Sequence, residues 1–454
     1  MSIPRTKIVV TLGPSTDASA KILALANAGA RIFRLNFSFR DHSYHASIIK
    51  RIRVVEKKLK CTLTIIADLQ GPKIRLGTLP PGGLVIKNNQ TIGIVPGEHA
   101  SGNILPVKYP HLLREVNVGE RLLLDDGKIE LKVTEKNKKE LKAKVIFGGA
   151  LTTGKGVGFP DTNLSVQSIT AKDIADAKLA EKHGADYIVA SFVKNKKDIL
   201  ALKKHLKKNT RVMVKVEKRE AVENIRDILT VVDAVMIGRG DLGLELRAGE
   251  MTIAQKKIIR ASRDAGKPVI VATQMLDSMI RNPRPTRAEI TDIANAVIDH
   301  TDAVMLSAET STGDFPLEAV AVAAEIISDT EKSTYDNLPL FSEESAHRTS
   351  EAEHLGKLCA VFVRQKKIKG IILTNDNLEI LGAITRHRPE VVTAILTKDE
   401  KLARMVNLFW GVEKIAGSKL ESGLVYGKKQ QWWKKGDNVV IIFGRDNLTV
   451  KEIK

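Results

Sequence analysis

The chain has 454 residues, which at roughly 150 residues per domain implies about three domains. A 43% hydrophobic content excludes a largely disordered polymer, and only 4% aromatic residues argues against a stacking platform for single-stranded nucleic acid. Lys and Arg number 72 against 53 Asp and Glu; the net charge of +19 is spread without a basic arm, so anionic substrates account for it better than nucleic acid. Cys61 and Cys359 are too few for a disulfide framework or a cysteine zinc site. The opening MSIPRTKIVV has no signal-type apolar region, and no run reaches spanning length. The expectation is a cytoplasmic protein with neither a membrane nor a nucleic-acid partner.

In chain order, short Val/Ile-rich runs recur: KIVVTLG from Lys7, ARIFRLNFS from Ala30 and LTIIADL from Leu63. After a long interval come DYIVASFV from Asp186, RVMVKVE from Arg211, AVMIGRGDL from Ala234, PVIVATQML from Pro268 and AVMLSAET from Ala303. Each suits a strand buried on both faces. Helix-like stretches such as 19–28, 173–183 and 252–265 lie between them, with Gly29, Gly184 and Gly266 just beyond. Eight such strands alternating with helices predict an α/β protein built on a (β/α)8 TIM barrel. The interval holds PPGGLVIKN, ERLLLDDGKIELKVTEKN and KELKAKVIFGG, alternating strands with Gly, Asn and Asp turns. It predicts an inserted β-rich lid domain. A C-terminal α/β domain is expected from a helix near 353–363, a strand at 370–374, a helix near 378–385 and strands near 391–396 and 438–443. The expected boundaries are 1–71 with 166–335 for the barrel, 72–165 for the lid and 336–454 for the last domain, with a polar linker or helix extension at 328–350.

The runs end in polar groups at the side where such barrels collect their catalytic residues: Arg34, Asn36, Asp68, Ser191, Lys215, Glu217, Arg239, Asp241, Thr273, Ser307 and Glu309. Glu217 and Asp241 follow successive strands, so their carboxylates can meet, and magnesium takes one or two carboxylates plus substrate oxygens. Either acid alone would read as a solvated strand end; the combination of KVE with GRGDLG points to a metal. Lys215, two residues before Glu217, shares its face of the strand. A lysine beside a metal pair suits charge neutralisation on a transferring phosphoryl group. The glycines of GRGDLG let backbone amides approach an anion. Thr273 and Ser307 offer hydroxyls for proton relay or substrate binding. Arg34, Arg75 and Lys155 add cations suited to phosphate, the last two placed where they would move with the lid.

These blocks resemble the pyruvate kinase family. The similarity runs from TKIVVTLGPS through RLNFS, ADLQGPKIR, LLLDDG, GKGVGFP, KVE, GRGDLGLE and AGKPVIVATQML to PRPTRAEITDIANAVIDHTDAVMLSAET and GDFPLEAV, about 6–320. The C-terminal part matches more loosely, through RHRP and ARMVNLFWGV. The resemblance implies phosphoryl transfer from phosphoenolpyruvate to ADP, giving pyruvate and ATP in glycolysis. It implies that Lys215 stabilises the phosphoryl transition state and the enolate oxygen, and that Arg34 contacts the transferring phosphate. Glu217 and Asp241 would hold Mg2+, with Mn2+ as an alternative. Gly240, Asp241 and Thr273 would frame the substrate carboxylate, Thr273 and Ser307 would serve proton delivery, and Pro14, Asn36, Arg75 and Lys155 would lie on the nucleotide side. A homotetramer is also implied.

The departures from the family pattern carry further expectations. Many members hold potassium through Asn, Ser, Asp and Thr; here Asn36, Ser38 and Asp68 remain, but the Thr position is Leu69. The Glu of GPEIR is Lys73, whose fixed ammonium can supply the missing cation, so activity without K+ is expected. A His and a Gly common near the nucleotide are Phe39 and Arg40. The sugar-phosphate loop of activated members reads TNDNLEI, and its Asp376 and Glu379 would repel a phosphate, so fructose bisphosphate regulation is not expected. Two other readings compete: another magnesium-dependent barrel acting on an enolate-type substrate, and a relative repurposed for binding. The insert and the full PRPTRAE block weigh against the first, the intact Lys215, Glu217 and Asp241 against the second.

Overall fold

Runs of β-branched and small apolar residues, with both faces apolar, form strands that must be covered on both sides, and helices supply the cover. The computed structural model describes residues 4–102, 104–338, 350–365, 368–374, 376–417, 419–444 and 447–454. The strands are β1 (Lys7–Thr11), β2 (Ile32–Asn36) and β3 (Thr64–Asp68), then β4 (Leu84–Ile86), β5 (Thr91–Pro96), β6 (Ile104–Val107), β7 (Arg121–Leu124), β8 (Ile129–Lys136), β9 (Leu141–Phe147), β10 (Gly149–Leu151) and β11 (Val157–Gly158). Next come β12 (Tyr187–Ala190), β13 (Arg211–Val216), β14 (Ala234–Gly238), β15 (Val269–Ala272) and β16 (Ala303–Leu306). The chain ends with β17 (Ile368–Leu373), β18 (Val392–Thr397), β19 (Val412–Ala416), β20 (Asn438–Phe443) and β21 (Asn447–Glu452).

β1 to β3 and β12 to β16 close into a parallel barrel, sealed where β1 lies beside β16 with Lys7 opposite Ala303. All eight runs read from the sequence are these strands. Val9, Ile32, Ile66, Val189, Met213, Met236, Ile270 and Met305 fill the interior. A separate apolar layer, including Ile22, Ile48, Ile52, Ile258, Ile293 and Ala323, joins the strands to the outer helices. The helix Ala171–His183 is capped by Thr170 and stopped by Gly184 at φ +87°, a left-handed turn that a Cβ would strain. The helix expected at 252–265 begins at Ala248, where Glu250 in its first turn accepts the Arg247 N–H at 3.1 Å.

Between β3 and β12 lies a six-stranded sheet in the order β11-β7-β8-β9-β5-β6, with a small β4–β10 pair beside it. Its core, including Leu105, Leu122, Leu131, Val145 and Phe159, is separate from the barrel's. The sequence reading did not anticipate β5 or β6, which carry Gly93, Pro96 and Pro106. The third sheet runs β19-β18-β17-β20-β21, parallel except for the antiparallel edge strand β21. β19 and β21 were also unanticipated. The helix Pro316–Glu331 extends into the stretch at 328–350, as the helix-extension alternative had it. Residues 339–349 of that stretch, and one position of TNDNLEI, lie outside the described residues. Among the described residues, no helix is long and apolar enough to cross a membrane.

Candidate active site

The ends of β2, β3, β12 and β13 converge on one buried charge network. Arg34, last but two in β2, donates from Nε to Asp68 Oδ2 at 2.8 Å and from Nη1 to Thr11 Oγ1 at 3.2 Å. Its Nη2 lies 2.7 Å from the same carboxylate oxygen. Ser191 donates to Asp68 Oδ1 at 3.2 Å, so both oxygens of this fully buried acid are engaged. Lys215 projects from β13 between two acids, 2.6 Å from Glu217 Oε1 and 3.7 Å from Asp68 Oδ2. Burial pushes the Asp68 pKa up, but Lys215 and Arg34 outweigh it and hold the carboxyl below its ordinary range. The reverse holds for Lys215: burial lowers it, and the charges of Asp68 and Glu217 raise it well above the usual ammonium.

The two carboxylates expected from the sequence to hold a metal are both buried and influence each other. Burial raises the Glu217 pKa, and the neighbouring Asp241 raises it further. Asp241 resists its own burial because the charges of Lys73 and Lys215 hold its pKa down. Glu217 Oε2 accepts the Phe192 N–H at 3.1 Å, whereas the buried Oε1 has no partner of hydrogen-bonding geometry despite its closeness to Lys215. Two neighbouring buried carboxylates, compensated here only by lysine ammoniums, fit a hard divalent cation. Among the described residues no cluster of three or more His, Cys, Asp or Glu side chains gathers. The pair depends on Gly238: a Cβ there would stand 2.7 Å from Glu217 Cγ.

Within GRGDLG the chain is already helical, Arg239–Glu245 forming a short helix with Asp241 in its first turn. The Gly240 N–H donates to Thr273 Oγ1 at 3.0 Å, and that hydroxyl donates to the Ala272 carbonyl at 2.7 Å. Thr273 and Gln274 hold left-handed backbones, φ +68° and +54°, as does Phe192 at +55°. Such conformations cost energy and concentrate at functional sites. Arg239 grips the strained turn through the carbonyls of Ala272 and Thr273 and is anchored by Asp292 at 2.7 Å. One strand further, Ser307 Oγ is buried without a partner. Glu309 ties this end to the β15 turn by accepting the N–H groups of Ser307 (2.6 Å) and Leu276 (3.0 Å).

The remaining predicted residues form a rim. The exposed Pro14 lies in a turn whose Ser15 N–H donates to Ser311 O, directly beyond Ser307. Arg75 donates to Gly154 O at 3.0 Å, and Lys155 pairs with Asp125 at 2.6 Å. Asn36 Oδ1 accepts the Ser38 N–H at 3.1 Å. Lys73 makes its ion pairs with Asp241 at 2.9 Å and Asp126 at 3.7 Å. Leu69 is 2% exposed and offers no side-chain oxygen. Sequence reasoning missed Thr11, Phe192 and Asp126. Thr11 ends β1 as a polar residue and was readable on that ground; the Phe192 amide and the acids of the lid's DDG turn have no sequence signal for their aim.

A model of the pyruvate kinase barrel domain matches residues 3–320. Among curated relatives, "Pyruvate kinase 2" of Synechocystis sp. is 38% identical over 456 residues, covering 97% of this chain and 76% of that protein. "Pyruvate kinase" of Agrobacterium vitis is 37% identical over 450 residues, covering 97% of this chain and 93% of its own length. The crystal structure of a pyruvate kinase from Cryptosporidium parvum superposes with a TM-score of 0.92 at 28% identity, covering 100% of this chain and 97% of that one. The chain therefore belongs to the pyruvate kinase family and is a phosphotransferase that passes the phosphoryl group of phosphoenolpyruvate to ADP, giving pyruvate and ATP.

Proposed function

We propose that Glu217 and Asp241 hold the divalent cation of this transfer, that Lys215 and Arg34 stabilise the moving phosphoryl group, and that Lys73 makes added potassium unnecessary. The cation, Mg2+ or Mn2+, supplies charge neutralisation on the phosphoryl and enolate oxygens when bound. Little covalent chemistry is asked of the protein, so positioning and electrostatics carry the rate. Arg34 is pre-aimed by Asp68 and Thr11 and donates to the transferring phosphate. Lys215, kept charged by Asp68 and Glu217, faces the phosphoryl group as the bond to the enol oxygen breaks and a β-phosphate oxygen of ADP takes the phosphorus. Its ammonium then faces the enolate oxygen left behind.

Gly240 and Thr273, joined by their hydrogen bond, frame the carboxylate end of the substrate. The unpartnered Ser307 hydroxyl acts with Thr273 in delivering the proton to the enolate carbon. On the nucleotide side, Pro14, Asn36, Arg75 and Lys155 receive ADP; Lys155 would exchange Asp125 for a phosphate oxygen as the lid closes. The proposed division keeps the lid at 72–165, the barrel on either side of it and the last domain from 336. A homotetramer is part of the same reading; Ile253, exposed on the helix Ala248–Asp264, and the open edge of β21 support it.

The observation that carries the potassium reading is the Lys73 ammonium 2.9 Å from Asp241, a cation fixed at the metal pair. Asp68, with both oxygens engaged, and the hydrocarbon of Leu69 add support. The double variant Lys73→Glu with Leu69→Thr removes the fixed cation and restores an oxygen ligand, so its turnover should rise when potassium is added. Turnover indifferent to potassium in that variant contradicts the substitution of one cation for the other.

A further inference from the structure

The chain leaves the barrel for the lid after β3 and returns before the helix Ala171–His183, and one buried side chain holds both crossings. Asp173, in the first turn of that helix, is 1% exposed. Its Oδ2 accepts the Thr170 N–H at 2.9 Å and the Thr170 hydroxyl at 2.6 Å, while the Asp173 N–H donates back to Thr170 Oγ1 at 3.1 Å. That exchange is a capping box on the returning crossing, where a carboxylate also meets the positive end of the helix. Oδ1 does something the cap does not need. It accepts the N–H of Gly71 at 2.9 Å, from a residue 102 positions earlier on the outgoing crossing. Each oxygen thus serves a different crossing.

The outgoing crossing is shaped to bend at this bond. Gly71 has a left-handed backbone, φ +66°, and sits so close to Phe192 that a Cβ would come within 2.7 Å of the ring. Conformation and space both exclude a side chain there. Pro72 follows, with its φ fixed and no N–H to tie it to the barrel. On the returning crossing, Lys194 donates to the Leu164 carbonyl at 2.7 Å and Ser168 donates to Asp198 at 2.8 Å. Both crossings are therefore pinned to the barrel, and Asp173 pins them to each other.

We propose that Asp173 is the pivot of the lid, a positioning residue that fixes the outgoing and returning crossings against one another so that the lid turns over ADP as one body. This role rests on closure of the lid over the nucleotide, the reading given to Arg75 and Lys155. An N-cap accounts for the Thr170 bonds alone; the bond to Gly71 joins the helix to the hinge. Lys73 lies two residues beyond Gly71, close to the axis, so its ammonium keeps Asp241 while the far sheet moves.

The test compares the parent enzyme with Asp173→Asn. The amide keeps the shape but turns N–H groups toward other donors, so either Gly71 or Thr170 loses its acceptor. Steady-state kinetics should show KM for ADP raised about tenfold or more and kcat reduced, while equilibrium binding of phosphoenolpyruvate with magnesium stays within about threefold. A merely structural cap would lower the unfolding midpoint and leave KM for ADP and kcat of the folded variant unchanged; that outcome overturns the assignment. Hydrogen exchange on the parent tests the pivot even where the variant does not fold. Amides of the lid sheet should exchange more slowly once ADP and magnesium are added, whereas the Gly71 amide should be slow with and without them. A Gly71 amide that exchanges as fast as an exposed one removes Asp173 as the pivot. Lid amides indifferent to ADP, beside a protected Gly71, would remove closure itself and the pivot with it.

Discussion

Lys215 stays charged in a buried site because two acids flank it, 2.6 and 3.7 Å away, and that charge is what a departing phosphoryl group meets. Lys215→Ala should therefore still bind phosphoenolpyruvate but lose transfer by about two to three orders of magnitude, the usual cost of deleting one transition-state donor. Single-turnover phosphoryl transfer beside equilibrium substrate binding checks this; near-normal turnover would remove Lys215 from the chemistry. The strand period made the Lys215–Glu217 pairing legible, because residues two apart share a face. Convergence of Glu217 with Asp241 was legible too, from two successive strand ends. The aim of the Phe192 amide at Glu217 was not, since it depends on a positive φ at a residue that rarely adopts one. Likewise, no pattern in the sequence says that Gly240 gives its amide to Thr273 rather than leaving it to an anion.

At the scale of elements, the PRPTRAE block has a structural reason. Thr286 caps the helix Arg287–Ile298, accepting the Glu289 N–H while Glu289 accepts the Thr286 N–H in return. That helix carries Asp292, which anchors the Arg239 that grips the strained Thr273 turn. Thr286→Ala should cost roughly 1 kcal/mol of stability, as lost N-caps do. Chemical denaturation reads that cost, and an unchanged midpoint would show that the cap does not bear on the helix. The capping box and the eight barrel runs were readable because each agrees with a local rule. β5 and β6 were hidden by glycine and proline, which weaken the strand pattern at a sheet margin. β21, with the sequence NLTVKE, shows mostly exposed side chains, so it has no apolar face to announce it.

Across the whole molecule, paired arginines dock the C-terminal domain onto the barrel. Arg388 is buried against Asp302 at 2.8 Å with its guanidinium over Trp410, while Arg5 stacks on the same ring. Arg404 reaches Glu56 at 2.8 Å. A net charge of +19 gave no hint of this, because composition carries sign but no position. His387 sits at the same junction, its Nε2 3.6 Å from the buried Glu353 carboxylate, yet burial and then Arg386 and Lys357 lower its pKa to about 4. A histidine depressed from about 6.5 stabilises the fold fully above that value, and the contribution is lost as pH falls toward 4, where the folded form finally protonates. The parent should thus lose more stability than His387→Gln across this window, by up to about 3 kcal/mol. Asp186, raised by burial to about 6, acts in the opposite direction but is common to both proteins and cancels in the comparison. Parallel pH profiles of unfolding for the two proteins would show that His387 is not held neutral.

The measurement that bears most directly on the account is ATP formation from phosphoenolpyruvate, ADP and magnesium in a buffer stripped of potassium and ammonium, repeated with potassium added. With Lys73 fixed at the metal pair, turnover should be robust and nearly equal in both. Turnover that appears only with potassium would contradict the role given to Lys73 and leave the rest of the site standing. No turnover in either buffer, from folded protein that binds ADP, would contradict the catalytic account itself.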